Sequence, residues 1–375
     1  MSETCLITPQ GEYELHRYPA RKRELLRAWD AADEYLLDEL SGFGPKKNIL
    51  ILNDSFGALA VAMHSQSPLS WSDSWLAHRA LHDNLERNGC DPAAARPLPS
   101  TATPEGPADL VVIKVPKSLA LFEDQLIRLK PLLTEKSRVV VGGMVKTMPS
   151  SAWQLLKRII GATNTSLARK KARLIEARPD LQLALPENPY PKRWRFEGLP
   201  FEIINHANVF SRERIDIGTR FLLQHLPATR GAREIIDLGC GNGLLGLVAA
   251  QQSPAARLHF VDESYMAIAS AQANFQQLDG DLRRAQFYCG DGLAAFDKNA
   301  ADLVLCNPPF HQSHAMGDTV AQSMFRGSAR VLRAGGELWV VGNRHLGYHA
   351  SLKRYFDAVE LVASNRKFVV LKCGK

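Results

Sequence analysis

No apolar run in this chain approaches the ~18 residues a membrane-spanning helix requires, so no such helix is expected. The first residues, "MSETCLITPQGEYELHRYPARKR", lack the basic-then-apolar layout of a secretory leader, and a cytoplasmic protein is expected. The six cysteines (Cys5, Cys90, Cys240, Cys289, Cys306, Cys373) form no Cys-x-x-Cys pair and no regular framework. Neither a zinc site nor disulfides are therefore expected. A strong charge of one sign is lacking as well: +7 over 375 residues is too little to identify a partner.

The distribution of charge says more than its sum. Residues 1–127 carry 12 Lys and Arg against 18 Asp and Glu, whereas residues 128–195 carry 15 against 4. Such a basic stripe attracts a polyanion or is a solvated face. With 45% apolar and 23% charged residues the chain has the balance of a folded protein, and its length calls for two cores.

From Glu234 onward, short apolar runs alternate with helical patterns: "EIIDLGCGNGLLGLVAAQ", "RLHFVDESYMAIASAQANFQQL", "AQFYCGDGLAAF", "ADLVLCNPPF", "GELWVVGN". Alternation of this kind builds βαβ units, hence an α/β fold with a mostly parallel sheet. The last two runs, "VELVASN" and "KFVVLKC", flank a tight polar junction and close the sheet as an antiparallel pair.

The first half repeats this grammar. "NILILNDSFGALAVAM" echoes "EIIDLGCGNGLLGLVA", "SDSWLAHRALHDNL" echoes "DESYMAIASAQANF", and "ADLVVIKVPK" echoes "ADLVLCNPPF", at offsets of 186, 190 and 193 residues. Three matches in the same order indicate a duplication. The copies differ where chemistry would lie: Asp237, Gly239 and Gly241 become Ile51, Asn53 and Ser55, and Asn307 to Phe310 become Lys114 to Lys117. The first copy is expected to be degenerate. The organisation read from this is a first domain over 1–180, a proline-rich linker over 181–195 and a catalytic domain over 196–375.

In "DLGCGNGLLG", glycines at 239, 241, 243 and 246 follow an apolar strand and precede a helix. Glycine turns tightly and lets a ligand approach the backbone, while the helix start offers free N–H groups. A nucleotide-like cofactor is implied. Asp237 before the first glycine would repel a pyrophosphate but accept hydrogen bonds from an ammonium, which favours S-adenosylmethionine over a dinucleotide. Asp262 ends the next strand, where a carboxylate binds ribose hydroxyls in both cofactor classes. Asp291, after the third strand, either accepts from an adenine amine or caps a turn.

The fourth strand breaks at Asn307-Pro308-Pro309-Phe310. Proline fixes φ and removes N–H donors, so the turn is stiff and presents acceptors with no local partner. An exocyclic amine is a poor nucleophile because its lone pair is delocalised. Asn307 Oδ1 and the Pro308 carbonyl can each accept one of its hydrogens, and Phe310 offers a face on which a flipped base stacks, a contact of about 1–3 kcal/mol. Methyl transfer to nitrogen then needs positioning rather than a strong base.

These motifs, with "VDES", "CNPPFHQSHA", "NRHL" and "HANVFSRERIDIGTRFLLQHLP", resemble those of the bacterial ribosomal RNA guanine-N2 methyltransferases. The likeness extends over nearly the whole chain, through "AWDAADEYLL", "LILNDSFGAL" and "IKVPKSLALFE". It implies two tandem Rossmann-like methyltransferase domains, the N-terminal one degenerate and helping to hold RNA. It also implies S-adenosylmethionine as cofactor and the N2 of one guanine in 23S rRNA as acceptor. On that likeness Gly239, Gly241 and Gly243 line the cofactor, Asp262 holds its ribose, and Asn307 to Phe310 hold the guanine. A monomer acting on 23S rRNA is expected, with protein-free RNA as a candidate substrate and no membrane or metal partner. The sister activity on 16S rRNA and methylation of a protein glutamine use the same turn and stay open, as do a nicotinamide-dependent oxidoreductase and an RNA-binding assembly factor with a vestigial cofactor fold.

Other residues tempt less. His311 and His314 follow the turn without a third metal ligand. Asn343, Arg344 and His345 follow the fifth strand at the same sheet edge, as RNA contacts or simple turn residues. Phe210, Ser211, Asp216 and Thr219 form either a flap over the cofactor or a helix capped after Ser211. Arg169, Lys170, Lys171 and Arg173 cluster in the basic stripe, either to position RNA phosphates or as a solvated hairpin tip.

Overall fold

The structure, a computed structural model, describes residues 3–21, 24–44, 47–227, 229, 231–279, 281–309 and 314–375. The chain divides into two compact units, residues 1–190 and 191–375. In the first, strands β1 (Cys5–Thr8) and β2 (Gly11–Glu14) form a hairpin ahead of helix α1 (Ala31–Leu40). Then come β3 (Ile49–Leu52), α2 (Ala58–Ala62), β4 (Leu69–Ser72), α3 (Trp75–Arg87), β5 (Arg96–Pro99), β6 (Ala108–Lys114), α4 (Leu119–Leu129), β7 (Leu133–Met144), α5 (Ser150–Ile159), β8 (Thr163–Thr165) and β9 (Ala172–Ala177).

The second unit has the same order: a hairpin of β10 (Lys192–Arg195) and β11 (Glu202–Asn205), then α6 (Ile217–Leu223), β12 (Glu234–Leu238), α7 (Leu244–Gln252), β13 (Arg257–Asp262), α8 (Tyr265–Asp279) and β14 (Ala285–Cys289). It ends with β15 (Ala301–Cys306), α9 (His314–Val331), β16 (Leu332–Asn343), α10 (Tyr348–Leu352), β17 (Ala358–Ser364) and β18 (Phe368–Gly374). The stretch read as a linker is shared between the units. Asn188 Nδ2 donates to Asp124 Oδ1 at 2.7 Å within the first, whereas Lys192 to Arg195 form β10 of the second.

Each unit holds a seven-stranded sheet, in the orders β5-β4-β3-β6-β7-β9-β8 and β14-β13-β12-β15-β16-β18-β17. The two orders are the same once each unit's strands are counted from its own first, as the duplication requires. The register repeats too. Ile51 pairs with Ser70 and Val112, and Asp237 pairs with Phe260 and Leu305, which reproduces the three sequence offsets residue for residue. The last two strands run antiparallel, as read from the sequence.

The central strands are apolar because both faces are covered: "ILIL" of β3 is buried at every position. In the second unit one face carries Ile235, Phe260, Leu305 and Val341 against Leu222 of α6 and Leu247 of α7. The other carries Ile236, Val304 and Val340 against Phe325 of α9 and Leu352 of α10. Close approach of α7 to the sheet is possible only because residue 246 is glycine: a Cβ there would lie 2.4 Å from Phe260 Cε1. No helix among the described residues is long and apolar enough to cross a membrane.

Candidate active site

The carboxyl ends of β12, β13, β14 and β15 meet where the strand order reverses, the edge at which open α/β sheets take ligands. After β12 the chain turns at Gly239, Gly241 and Gly243, with φ of +69°, +54° and +83°. These are left-handed conformations that L-residues avoid. The three glycines differ in purpose. A Cβ on Gly243 would press on Ala271 and Phe260 at 3.0–3.1 Å, so its bareness serves packing, whereas one on Gly241 would meet nothing within 4 Å. Gly241 is the open rim of the cradle.

Asp237 is 1% exposed, and its Oδ2 accepts from Gly246 N at 2.8 Å, which ties the start of α7 to β12. Its Oδ1 is buried without a partner among the described residues. Burial, and then the nearby Asp262, push its carboxyl up to about 8. The sequence reading gave Asp237 to an ammonium ligand; its first duty is to brace the cradle, with one oxygen left over. Asp262 lies above it. Oδ2 accepts from Gly241 N at 3.0 Å and Oδ1 from Ser264 N at 3.0 Å. Gly290 N donates to the Asp262 carbonyl at 2.9 Å, and this contact brings the Asp291 turn beside it.

The cradle is clasped from behind by Asn274 on α8. Its Nδ2 donates to the carbonyls of Ile204 and Asn242 at 2.9 and 3.0 Å, and its Oδ1 accepts from Ile204 N at 2.7 Å. The first unit keeps this clasp in Asn84, bonded to His16 and Phe56. The sequence match of Asn84 with Asn274 therefore reports scaffold, not chemistry.

Asn307 follows β15 directly. Its Nδ2 donates to Asp216 Oδ2 at 3.1 Å and to Thr219 Oγ1 at 2.8 Å. A carboxylate only accepts, so the amide nitrogen must face Asp216 and the orientation is fixed by chemistry. The other end, Oδ1, is buried and has no partner among the described residues. An acceptor stripped of water without a donor costs about 1–3 kcal/mol, a cost relieved when a ligand donates. Pro308 follows, buried, and Pro309 half-buried. Phe310 and His311 lie outside the described residues, as does any account of the His314 side chain.

Asp216 also caps α6, accepting from Thr219 N at 2.9 Å. The helix thus begins at Ile217 and not after Ser211, and two of the residues read as a flap, Asp216 and Thr219, anchor Asn307. Phe210 is exposed at 60%, and Ser211 takes a φ of +55° in the turn before α6. Sequence reasoning missed the link to Asn307. The duplication carried its signal: Asp30, Asp33 and Lys114 stand at the same offsets as Asp216, Thr219 and Asn307.

In the first unit those residues close the equivalent site. Lys114 Nζ donates to Asp30 Oδ1 and Asp33 Oδ1, both at 2.7 Å. Burial alone would lower the Lys114 ammonium, but Asp33 and Asp30 outweigh it and hold it above its ordinary value. Asn53, in place of Gly239, fills the entrance by pairing with Gln125 and the Lys114 carbonyl. Where the loop lost its first acid, Asp54 has taken over the brace, accepting from Leu59 and Ala60 N at 3.0 and 2.9 Å.

The basic cluster is a hairpin tip with positive φ at Lys170 and Lys171. Two of its four charges are spoken for: Arg169 pairs with Asp38 at 2.9 Å and Lys170 with Glu34 at 2.7 Å, both on α1. Lys171 is exposed, and Arg173 is half-buried with Nε unpartnered. The stripe is thus less positive in space than along the chain. Arg344 and His345 are exposed beyond β16, while Asn343 beside them is 6% exposed.

Known proteins can now be set beside this geometry. Residues 3–181 match the family model described as the RLMG N-terminal domain, and residues 200–372 the methyltransferase small domain. The chain is 52% identical over 371 residues to ribosomal RNA large subunit methyltransferase G of Ectopseudomonas mendocina, covering 98% of this chain and 99% of that one. It is 48% identical over 379 residues to the protein of that name from Streptomyces coelicolor, covering 99% and 100%. Among solved structures, the T. thermophilus 16S rRNA N2 methyltransferase RsmC in complex with AdoMet and guanosine superposes with a TM-score of 0.79 at 22% identity, covering 99% of this chain and 97% of that one. This shared fold spans both units.

Proposed function

The chain belongs to the ribosomal RNA large subunit methyltransferase G family, and from that premise we propose that it transfers a methyl group from S-adenosylmethionine to the exocyclic N2 of one guanine in 23S rRNA. The observation that carries the reading is Asn307 Oδ1, a buried acceptor without a partner among the described residues, whose amide nitrogen is tied to Asp216 and Thr219. An amine donor is what such an oxygen lacks.

The cradle fits the cofactor: Gly241 leaves open space, the Asp262 carboxylate ends β13 beside it, where it can accept from ribose hydroxyls, and Asp237 has one oxygen with no partner among the described residues. Gly239, Gly241, Gly243, Asp237, Asp262 and Asp291 would hold it. When bound it supplies an electrophilic methyl on a sulfonium. Asn307 Oδ1 and the Pro308 carbonyl accept the two N2 hydrogens and so orient the nitrogen lone pair. As positive charge develops on the nitrogen both bonds strengthen, which lowers the barrier selectively. The surplus proton leaves N2 for water, and no side-chain base is needed.

The choice of 23S over 16S rRNA rests on the relatives named for the large subunit. The protein acts in the cytoplasm as a monomer on protein-free RNA, with residues 1–180 helping to hold the substrate through Lys171 and Arg173. The reading is tested by incubating the protein with methyl-labelled S-adenosylmethionine and protein-free 23S or 16S rRNA, followed by nuclease digestion and nucleoside chromatography. N2-methylguanosine from 23S alone is expected; label in 16S, or label that resists nuclease and remains with protein, contradicts it.

A further inference from the structure

Asn343 ends β16, the strand beside β15. A Cβ on the preceding Gly342 would lie 2.4 Å from Tyr348 Cδ2 on α10, so Asn343 projects to the opposite face, that of Trp339 and Val341. Asn307 shares that face, in phase with Leu303 and Leu305 of the same apolar layer. Cys306 pairs with Val340, which sets Asn307 beside Val341 and Asn343 two residues further out at the same sheet edge. Two residues of strand rise about 7 Å, a span that two side chains converging on one purine edge can bridge.

Asn343 is 6% exposed and its Oδ1 has no partner among the described residues. Nothing in the scaffold explains a buried amide there. In the first unit β7 ends at the counterpart, Met144, so the position accepts an apolar side chain where the chemistry has gone. The buried orphan acceptors of the second unit's side chains include Asn307 and Asn343, side by side at one sheet edge.

We propose that the Asn343 carboxamide reads the N1–H/O6 edge of the guanine whose amine Asn307 holds. A carboxamide presents an acceptor and a donor side by side, complementary to the donor N1–H and the acceptor O6. With the amine fixed at Asn307, adenine offers neither group in that order. A buried amide left unpaired by the wrong base is the strongest form of discrimination available to such a pocket. The assignment rests on the methyl-transfer reading above and names how that site selects its base.

The test is a ligand-observed NMR titration of the full chain, with S-adenosylhomocysteine present, against guanosine, inosine, 2-aminopurine riboside and adenosine. Inosine keeps N1–H and O6 but lacks the amine; 2-aminopurine keeps the amine but lacks N1–H and O6. Asn343→Ala, or Asn343→Met as the replacement the first unit itself uses, weakens guanosine and inosine about tenfold and 2-aminopurine riboside far less. Asn307→Ala shows the converse pattern, sparing inosine. Equal weakening of all three purines by the Asn343 variants, no weakening, or failure of both variants to fold overturns the assignment. If the wild type does not prefer guanosine to adenosine, the methyl-transfer reading itself fails; if it does and the Asn343 variants keep that preference, only this inference does.

Discussion

Gly241→Ala and Gly246→Ala are chemically the same change five residues apart, and they should fail in different ways. At 241 the new methyl meets nothing within 4 Å, so the cost is confined to an L-residue at a φ of +54°, about 1–2 kcal/mol. For a unit of this size that lowers Tm by about 2–8 °C and leaves the fold intact. The methyl does, however, enter the open side of the cradle and tilts the Gly241 N–H held by Asp262, so S-adenosylmethionine affinity should drop tenfold or more, about 1.4 kcal/mol. At 246 the methyl would sit 2.4 Å from Phe260 Cε1. That ring is wholly buried and stacked on Phe287 at 5.2 Å, so it cannot retreat. Overpacking costs about 1–3 kcal/mol, and pushing α7 outward also strains the Gly246 bond to Asp237. The first unit carries Ala60 at this position with Ser70 in place of the ring, a compensation made within the same chain. Scanning calorimetry and cofactor titration separate the two variants. Gly241→Ala binding cofactor like the wild type, or Gly246→Ala melting like it, would refute the division of labour.

Thr219→Val removes one of the two acceptors that hold Asn307 Nδ2, and kcat should fall about tenfold with KM for RNA unchanged; a change in KM alone would assign Thr219 to binding. Asp237 in the fold keeps its proton up to about pH 8, whereas an unfolded chain releases it near 4, so between these values the unfolded state binds fewer protons and stability falls as pH rises. Asp237→Asn should therefore raise Tm of the second unit at pH 8 and leave it unchanged near pH 4, as followed by calorimetry; the same increment at both would show that ionisation is not the cause. Lys114→Ala leaves Asp30 and Asp33 facing each other without their cation, at a cost of about 3–5 kcal/mol, and circular dichroism melts should show early unfolding of the first unit with the second unaffected; an unchanged first transition would mean the ion pair contributes nothing.

Legibility followed sequence distance. The duplication was readable because strands and cradles are local: the offsets of 186, 190 and 193 counted along the chain are the ones the strand registers show. The anchoring of Asn307 was not, since Asp216 and Thr219 precede it by 91 and 88 residues and nothing in a window of sequence joins them. Charge counting could not see, for the same reason, that two of the four charges at the hairpin tip are paired. Asp38 and Glu34 reach it from α1, 131 and 136 residues away. Asp237 was assigned by charge to a ligand, but a carboxylate under a helix start satisfies a backbone N–H first. Asn343, read as an RNA contact or a simple turn residue, became informative once its burial, and an Oδ1 without a partner among the described residues, were known.

The central claim is that Asn307 Oδ1, aligned by Asp216 and Thr219, accepts from the substrate amine as it is methylated. It is tested most directly by single-turnover methylation of 23S rRNA with Asn307→Ala, alongside a cofactor titration of the same variant. The account predicts that the rate constant falls about 10²- to 10³-fold while S-adenosylmethionine affinity is unchanged. A variant that methylates at the wild-type rate, or that loses cofactor binding in proportion to rate, would contradict it.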